Sequence, residues 1–200
     1  METEVEKIEK SNGGWCISHS RLSEETTQYT QVDYLINAGG FETGMVDDWT
    51  QRPKQRFVEF KAAYVTRWED CDQQWPEVIF HGQRGTPNGM AQLTPYADGV
   101  FQLHGMTEDI TLFHDGLVTS NDKSSQPALP NYLLSKIEAG WSESEQMTRT
   151  NRAIEHIAQF IPSFASAEMA SKPLYGAQQI PGEDSTLRAS DISVEGTNYA

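Results

Sequence analysis

Two short stretches joined by an Asp-Gly turn place polar side chains where they could bind a ligand. Gln92 and Thr94 alternate with apolar residues before the turn, and Gln102 and His104 alternate with apolar residues after it. If the stretches pair as strands, their amide, hydroxyl and imidazole groups share one face and can supply convergent donors and acceptors to a small ligand. The solvent-facing side of an ordinary antiparallel sheet shows the same alternation, so both interpretations stay open.

A glycine-rich turn at residues 82–89, just before these stretches, carries Arg84. A guanidinium group offers two parallel donors to a carboxylate, which makes Arg84 a candidate anion anchor. An exposed arginine that only keeps the turn soluble would fit the same pattern. The sequence leaves these two roles of Arg84 open.

The histidines do not show the spacing of a metal site or of a hydrolase. The sequence contains no HxH, HExxH or Cys/His ligand pattern and no GxSxG nucleophile elbow. Cys16 and His19 are close in sequence, but this pair is explained by coincidence. We therefore predict no metal ion and name no catalytic residue. A hydrolase that uses the histidines is kept only as a third hypothesis, which metal analysis would decide.

Both common phosphate-binding fingerprints are missing from the sequence. Neither GxGxxG, which places a dinucleotide diphosphate on a helix N-terminus, nor GxxxxGK[ST] occurs. This absence predicts that the chain has no independent site for a dinucleotide or a nucleoside triphosphate.

Composition limits the partners and the cellular location. The formal net charge of −14 and the pI near 4.7 argue against nucleic acid, because such partners require a basic surface. No apolar run is long enough to span a membrane, and the charged start METEVEKIEK lacks the apolar centre of a signal peptide. Only Cys16 and Cys71 occur, without CxxC spacing, so we predict a reduced, cytoplasmic protein.

The register of the predicted hairpin follows from the face that it must bury. A two-residue loop would mix polar and apolar side chains on both faces. A three-residue loop, Ala97-Asp98-Gly99, pairs Gln92 with His104 and Thr94 with Gln102, and Gly99 supplies the left-handed residue. The opposite face then becomes apolar throughout: Ala91, Leu93, Pro95, Phe101 and Leu103. We predict the three-residue loop because it separates the two faces.

Other elements follow from hydrophobic periodicity. Residues 32–40 form a short apolar run that ends in small residues, which indicates a buried strand and allows a parallel one. Residues 56–61 alternate apolar and charged side chains as a half-buried strand does. The stretch 77–118, punctuated by glycine turns, predicts a three-stranded meander.

The pattern changes to helical spacing after Ser142. The segment Ser142-Glu143-Ser144-Glu145 fits a capping box, and Pro162 is expected to end the helix. The predicted buried stripe consists of Met147, Asn151, Ile154, Ile157, Ala158 and Ile161. We therefore predict an α+β fold: an antiparallel or mixed sheet of about five to seven strands with one long helix near residues 142–161.

Several of these segments resemble FAD-dependent oxidoreductases of the D-amino-acid-oxidase and glycine-oxidase family. Residues 34–40, YLINAGG, resemble that family's strand ending in Asn-Ala-Ala-Gly, with Gly39 in place of the second alanine. Residues 90–96 and 101–107 resemble the substrate-domain hairpin of a bacterial branch. Residues 174–182, LYGAQQIPG, are similar to the segment that returns to the flavin domain. The resemblance extends from about residue 14 to the end of the chain.

The resemblance implies a division of the chain and a set of site residues. Residues 1–50 would be a remnant of the FAD-binding domain, residues 51–175 the substrate-binding cap domain, and residues 176–200 a return segment. The implied cofactor contacts are Asn37, Ala38, Gly39, Gly40, Gly176 and Gln178. The implied substrate contacts are Arg84, Gln92, Gln102 and His104.

The implied activity belongs to a larger flavoprotein. In the complete protein FAD would take a hydride from a carbon next to an amine, and the protein would orient an amine or amino-acid-like substrate. We expect this chain not to retain FAD, and its expected partner is the missing FAD-binding half of the same protein. The alternative is a non-catalytic module that binds a small ligand or a protein.

Overall fold

A computed structural model describes residues 3–23, 26–71, 74–83, 86–180, 194, 196, 198 and 199. The predicted contact Arg84 lies outside these residues. The chain divides into two compact units. The first comprises residues 1–58, 118–128 and 178–200, and the second comprises residues 59–117 and 129–177. In the described residues, no helix is long and apolar enough to cross a membrane.

The first unit contains a three-stranded antiparallel sheet and a short helix. The strands are β1 (Thr3–Ser11), β2 (Gly14–Arg21) and β3 (Gln28–Val32), in the order β1-β2-β3. A 3-10 turn at Gly40–Glu42 leads into α1 (Thr43–Trp49). The core of this unit consists of Ile8, Trp15, Leu35 and Tyr199, with Val46 and Trp49 of α1 packed against it.

The predicted buried strand at residues 32–40 is wrong. The strand β3 ends at Val32, and Leu35 makes only an isolated parallel bridge with Tyr199. Tyr34 and Ile36 are exposed, so only the middle residue of this apolar run is buried. The chain turns at Asn37, whose side-chain oxygen accepts a hydrogen bond from the Gly39 amide at 3.2 Å. Such a local side-chain bond competes with strand pairing.

The seven-stranded sheet lies mostly in the second unit. Its strands are β4 (Phe57–Arg67), β5 (Val78–Phe80), β6 (Ala91–Pro95), β7 (Val100–Gly105), β8 (Leu117–Thr119), β9 (Glu168–Met169) and β10 (Leu174–Ile180). The order is β10-β4-β7-β6-β5, and β8 and β9 also pair with β4. The predicted meander is confirmed, since β5, β6 and β7 are adjacent and antiparallel.

Two α-helices complete the second unit, α2 (Asn131–Ala139) and α3 (Glu143–Ala158), and a 3-10 turn follows at Pro162–Ser166. Ser142 is the N-cap of α3, and its hydroxyl accepts a hydrogen bond from the Glu145 amide at 3.2 Å. The described helices and the antiparallel pairing give an α+β architecture, as predicted.

The predicted buried stripe of α3 is partly wrong. Ile154 and Ile157 are buried, but Met147 and Asn151 are exposed and Gln146 and Thr150 are buried instead. The Gln146 side-chain amide donates to the Trp141 backbone carbonyl oxygen at 2.8 Å, and the Thr150 hydroxyl donates to the Gln146 backbone carbonyl oxygen at 2.7 Å. These bonds offset the cost of burying polar groups, which hydrophobic periodicity alone cannot anticipate.

Candidate functional site

The hairpin that carries the predicted substrate contacts has the predicted register. Gln92 pairs with His104, Leu93 with Leu103 and Thr94 with Gln102. The loop contains three residues between Tyr96 and Val100, and the Tyr96 amide donates to the Val100 carbonyl oxygen at 2.8 Å. Both Asp98 and Gly99 adopt left-handed conformations, with φ of 60° and 69°. The register prediction is therefore confirmed.

The two faces of the hairpin differ as the register requires. Ala91, Leu93, Phe101 and Leu103 are buried. The opposite side chains are only half-buried, and because β4 pairs Val65 with Gln102, the odd-numbered residues of β4 join them. This surface also carries the apolar Ala63, Val65 and Ile79. We call its polar side chains the polar face, and they are Glu59, Lys61, Glu77, Gln92, Thr94, Tyr96, Gln102 and His104.

One part of the polar face is organised around a carboxylate. The Gln92 side-chain amide and the Thr94 hydroxyl both donate to Glu77 Oε1, at 2.6 Å and 3.0 Å. Glu77 itself is exposed and directly precedes β5. The two donors hold the carboxylate in place beside the hairpin while leaving it accessible to solvent.

A second set of hydrogen bonds links Tyr96 to Gln102 and His104 of β7. The Tyr96 hydroxyl donates to Gln102 Oε1 at 2.8 Å, and Gln102 Nε2 lies 3.4 Å from His104 Nε2. An amide nitrogen only donates, so His104 Nε2 accepts and the ring proton of neutral His104 is assigned to Nδ1. That Nδ1 atom is buried and has no hydrogen-bond partner in the described part of the chain.

The protonation of His104 reflects its surroundings. Burial, followed by the positive charge of Lys61, lowers the pKa of His104 from its ordinary value, and Glu77 opposes this shift. The imidazole is therefore neutral at physiological pH. A neutral ring can exchange hydrogen bonds with a ligand without adding charge to the face.

The buried end of the polar face holds an ion pair on β4. Lys61 Nζ lies 3.2 Å from Glu59 Oε2, and the side chains are 19% and 4% exposed. Each charge therefore compensates the other within the protein. The face as a whole offers amide, hydroxyl and imidazole groups beside one exposed carboxylate, a combination suited to binding a small polar molecule.

Sequence reasoning missed three members of this face: Glu59, Lys61 and Glu77. The alternation at residues 56–61 showed that Glu59 and Lys61 share a side of their strand. It did not show which strand lies beside β4, so the sequence alone could not place them next to His104. Among the described residues, no group of three or more His, Cys, Asp or Glu side chains could hold a metal ion.

The predicted cofactor contacts at residues 37–40 lie in the first unit, where Asn37 serves the fold. Its amide nitrogen lies 3.0 Å from the Thr43 carbonyl oxygen, 3.2 Å from the Tyr199 hydroxyl and 3.4 Å from Asp47 Oδ1. Ala38 and Gly39 line a groove of about 730 Å³. Gly40 has φ of 58° and begins the 3-10 turn.

The remaining predicted cofactor contacts, Gly176 and Gln178, lie on β10. A Cβ atom added at Gly176 would meet no atom within 4 Å, and Gln178 is exposed. The residues present do not fit a complete FAD site. Asn37 directs its polar atoms into the chain itself, and the sequence has no glycine-rich cradle for the diphosphate.

No family model and no curated protein matches this chain. Among solved structures it is similar to a flavoprotein/dehydrogenase from Cytophaga hutchinsonii and to CmlS, a flavin-dependent halogenase. The identity is 11% in both cases, with TM-scores of 0.45 and 0.47. Each match covers 88% of this chain but only 36% and 27% of the other chains. This chain therefore spans about a third of the length of the two proteins it matches.

Proposed function

We propose that this chain is the substrate-domain portion of an FAD-dependent oxidoreductase that acts on an amine or amino-acid-like substrate. In this proposal the polar face is one wall of the substrate site. The observation that carries it is the hairpin register, which brings Gln92, Gln102 and His104 onto one face, as expected for the hairpin that resembles the family's substrate domain.

The chemistry of the polar face supports a binding role rather than a reacting one. It offers donors, acceptors and a neutral imidazole but no nucleophile paired with a base among the described residues. A substrate domain needs only to hold and orient the substrate, because the flavin would supply the redox chemistry. The proposed partner of this chain is the FAD-binding half of the same protein.

The experiment uses the complete gene product that contains this chain. We expect the purified protein to be yellow, and its flavin absorbance to bleach anaerobically when an amine or amino acid is added. His104→Ala should raise the substrate concentration needed for half-maximal bleaching while the melting temperature stays close to the wild-type value.

Two results would count against the proposal. A complete product without flavin would favour the non-catalytic binding module. If His104→Ala needs the same substrate concentration as the wild type for half-maximal bleaching but melts several degrees lower, His104 serves only the fold. Asn151→Ala is a suitable control, since Asn151 is exposed on α3 and lies outside the polar face and the predicted cofactor contacts.

A further inference from the structure

We propose that Glu77 makes the polar face selective for ligands that carry an ammonium group without an adjoining carboxylate. This inference rests on the proposed function, because it names the substrate class of the same site. It assigns a specificity-determining role to a residue that lies outside the hairpin.

The Glu77 carboxylate is oriented by two donors and can accept a hydrogen bond from one more partner. Gln92 Nε2 and Thr94 Oγ1 both donate to Oε1, at 2.6 Å and 3.0 Å. In the described residues, Oε2 receives no hydrogen bond, and the side chain is exposed. A carboxylate oriented by neutral donors keeps its full negative charge, and an ammonium group can add a charge-assisted hydrogen bond to it.

The other charges of the face are already engaged. Lys61 lies 3.2 Å from Glu59 Oε2 in a pair that is mostly buried. Arg67 lies outside the polar face as defined, at the turn end of β4, where it donates to the Asp98 carbonyl oxygen at 2.8 Å and keeps its positive charge. His104, in the middle, is neutral because burial lowers its pKa. Glu77 is the charged side chain that bonds directly to Gln92 and Thr94 of the hairpin, so its negative charge is the one in contact with them.

This distribution separates three classes of ligand. An ammonium group is attracted by Glu77, a carboxylate is repelled by it, and a zwitterion with adjoining charges experiences both effects. A carboxylate that approached Lys61 would have to compete with Glu59, whose Oε2 lies 3.2 Å from the Lys61 ammonium in a mostly buried pair. An amine without a carboxylate should therefore bind best.

Three small molecules of matched chain length test this order. Pentylamine carries only the ammonium group, norleucine adds the adjoining carboxylate, and hexanoate carries only the carboxylate. Each is titrated into the full 200-residue chain, and NMR follows the side-chain amides of Gln92 and Gln102 and the ring of His104. We expect pentylamine to bind about fivefold more tightly than norleucine, and hexanoate to cause no shift.

The variant Glu77→Gln keeps the size of the side chain and removes its charge. We expect it to bind pentylamine about fivefold more weakly and to lose the preference for pentylamine over norleucine. Glu143→Gln is the matched control, because Glu143 is also exposed but lies at the start of α3. Added salt should weaken pentylamine binding to the wild type, which tests the charge without any variant.

The outcomes separate this inference from the proposed function. If none of the three molecules shifts the wild-type signals, the inference about Glu77 fails, while the proposed function is judged separately by whether the complete gene product is yellow and bleaches with an amine or amino acid. If pentylamine and norleucine bind equally well, or if Glu77→Gln keeps the wild-type preference, the role of Glu77 is wrong while the proposed substrate wall stands.

Discussion

At the scale of single residues, His104 links the polar face to pH. Burial and Lys61 lower its folded-state pKa below the ordinary value of 6.5, while the unfolded chain keeps that value. The unfolded state therefore binds the proton more readily, and stability that is present above about pH 6.5 is lost as the pH falls. We expect the wild type to be less stable at about pH 5.5 than at about pH 7.5, and His104→Gln to reduce this difference in urea unfolding.

Two further histidines bear on this comparison of stability at two pH values. Burial also lowers the pKa of His156, so part of the pH dependence should survive in His104→Gln. His114 is exposed, with its side chain 82% accessible, and His114→Gln serves as the control that should retain the wild-type difference. An unchanged difference in His104→Gln would contradict the assignment.

Asp47 forms a buried ion pair in the first unit. This residue has no exposed surface, and its Oδ2 lies 2.7 Å from Arg56 Nε. The Tyr199 hydroxyl donates to Oδ1 at 3.2 Å. We expect Arg56→Met to lower the free energy of unfolding by about 3 kcal/mol, because it leaves the buried carboxylate without its cation. Equilibrium urea unfolding measures the loss.

The double variant Asp47→Asn/Arg56→Met tests the cause. If the loss reflects an uncompensated charge, removing that charge as well should recover part of the stability, so the double variant should be more stable than the sum of the single effects predicts. Strictly additive losses would mean that packing of the arginine side chain, rather than its charge, stabilises this unit.

At the scale of elements, the close approach of α3 to β7 depends on Gly105. A Cβ atom added there would lie 2.6 Å from His156 Nδ1 and 3.0 Å from Ile110 Cδ1. Both contacts are within the second unit, and the buried side chains of His156 and Ile110 would have to shift to relieve them. We expect Gly105→Ala to destabilise the protein by about 1–3 kcal/mol in urea unfolding.

Gly176→Ala is the matched control for this prediction. It also changes a glycine within a strand, but a Cβ atom there meets nothing within 4 Å, so the variant should be neutral or slightly stabilising. Equal losses in both variants would show that the loss comes from removing a strand glycine and not from the contact with α3.

The elements that the sequence predicted best are those fixed by local rules. The hairpin register followed from the need to separate Leu93 and Leu103 from Gln92 and His104, and the start of α3 followed from Ser142. The apolar run at residues 32–40 led to the wrong prediction of a buried strand. Its single buried residue, Leu35, packs against Tyr199 from the far end of the chain. Local periodicity carries no information about such a partner.

At the scale of the whole molecule, the polar face combines residues that are far apart in sequence. Lys61 comes to His104 through the pairing of β4 with β7, about forty positions away, and Glu77 comes through residues that precede β5. The hairpin contacts could be predicted because their pairing spans one short loop. The flanking charges could not, because they depend on which distant strands become neighbours.

The last prediction concerns FAD and the chain as a whole. A dinucleotide diphosphate is commonly held by backbone donors of a GxGxxG or GxxxxGK[ST] turn, and the sequence has neither motif. The net charge of −14 further opposes an anionic cofactor. We expect the 200-residue chain, mixed with excess FAD and passed through gel filtration, to elute without flavin absorbance. A flavoprotein of known FAD content, run in parallel, shows that tightly bound flavin elutes together with its protein. Stoichiometric flavin in the eluted chain would mean that it binds the diphosphate by another arrangement of donors.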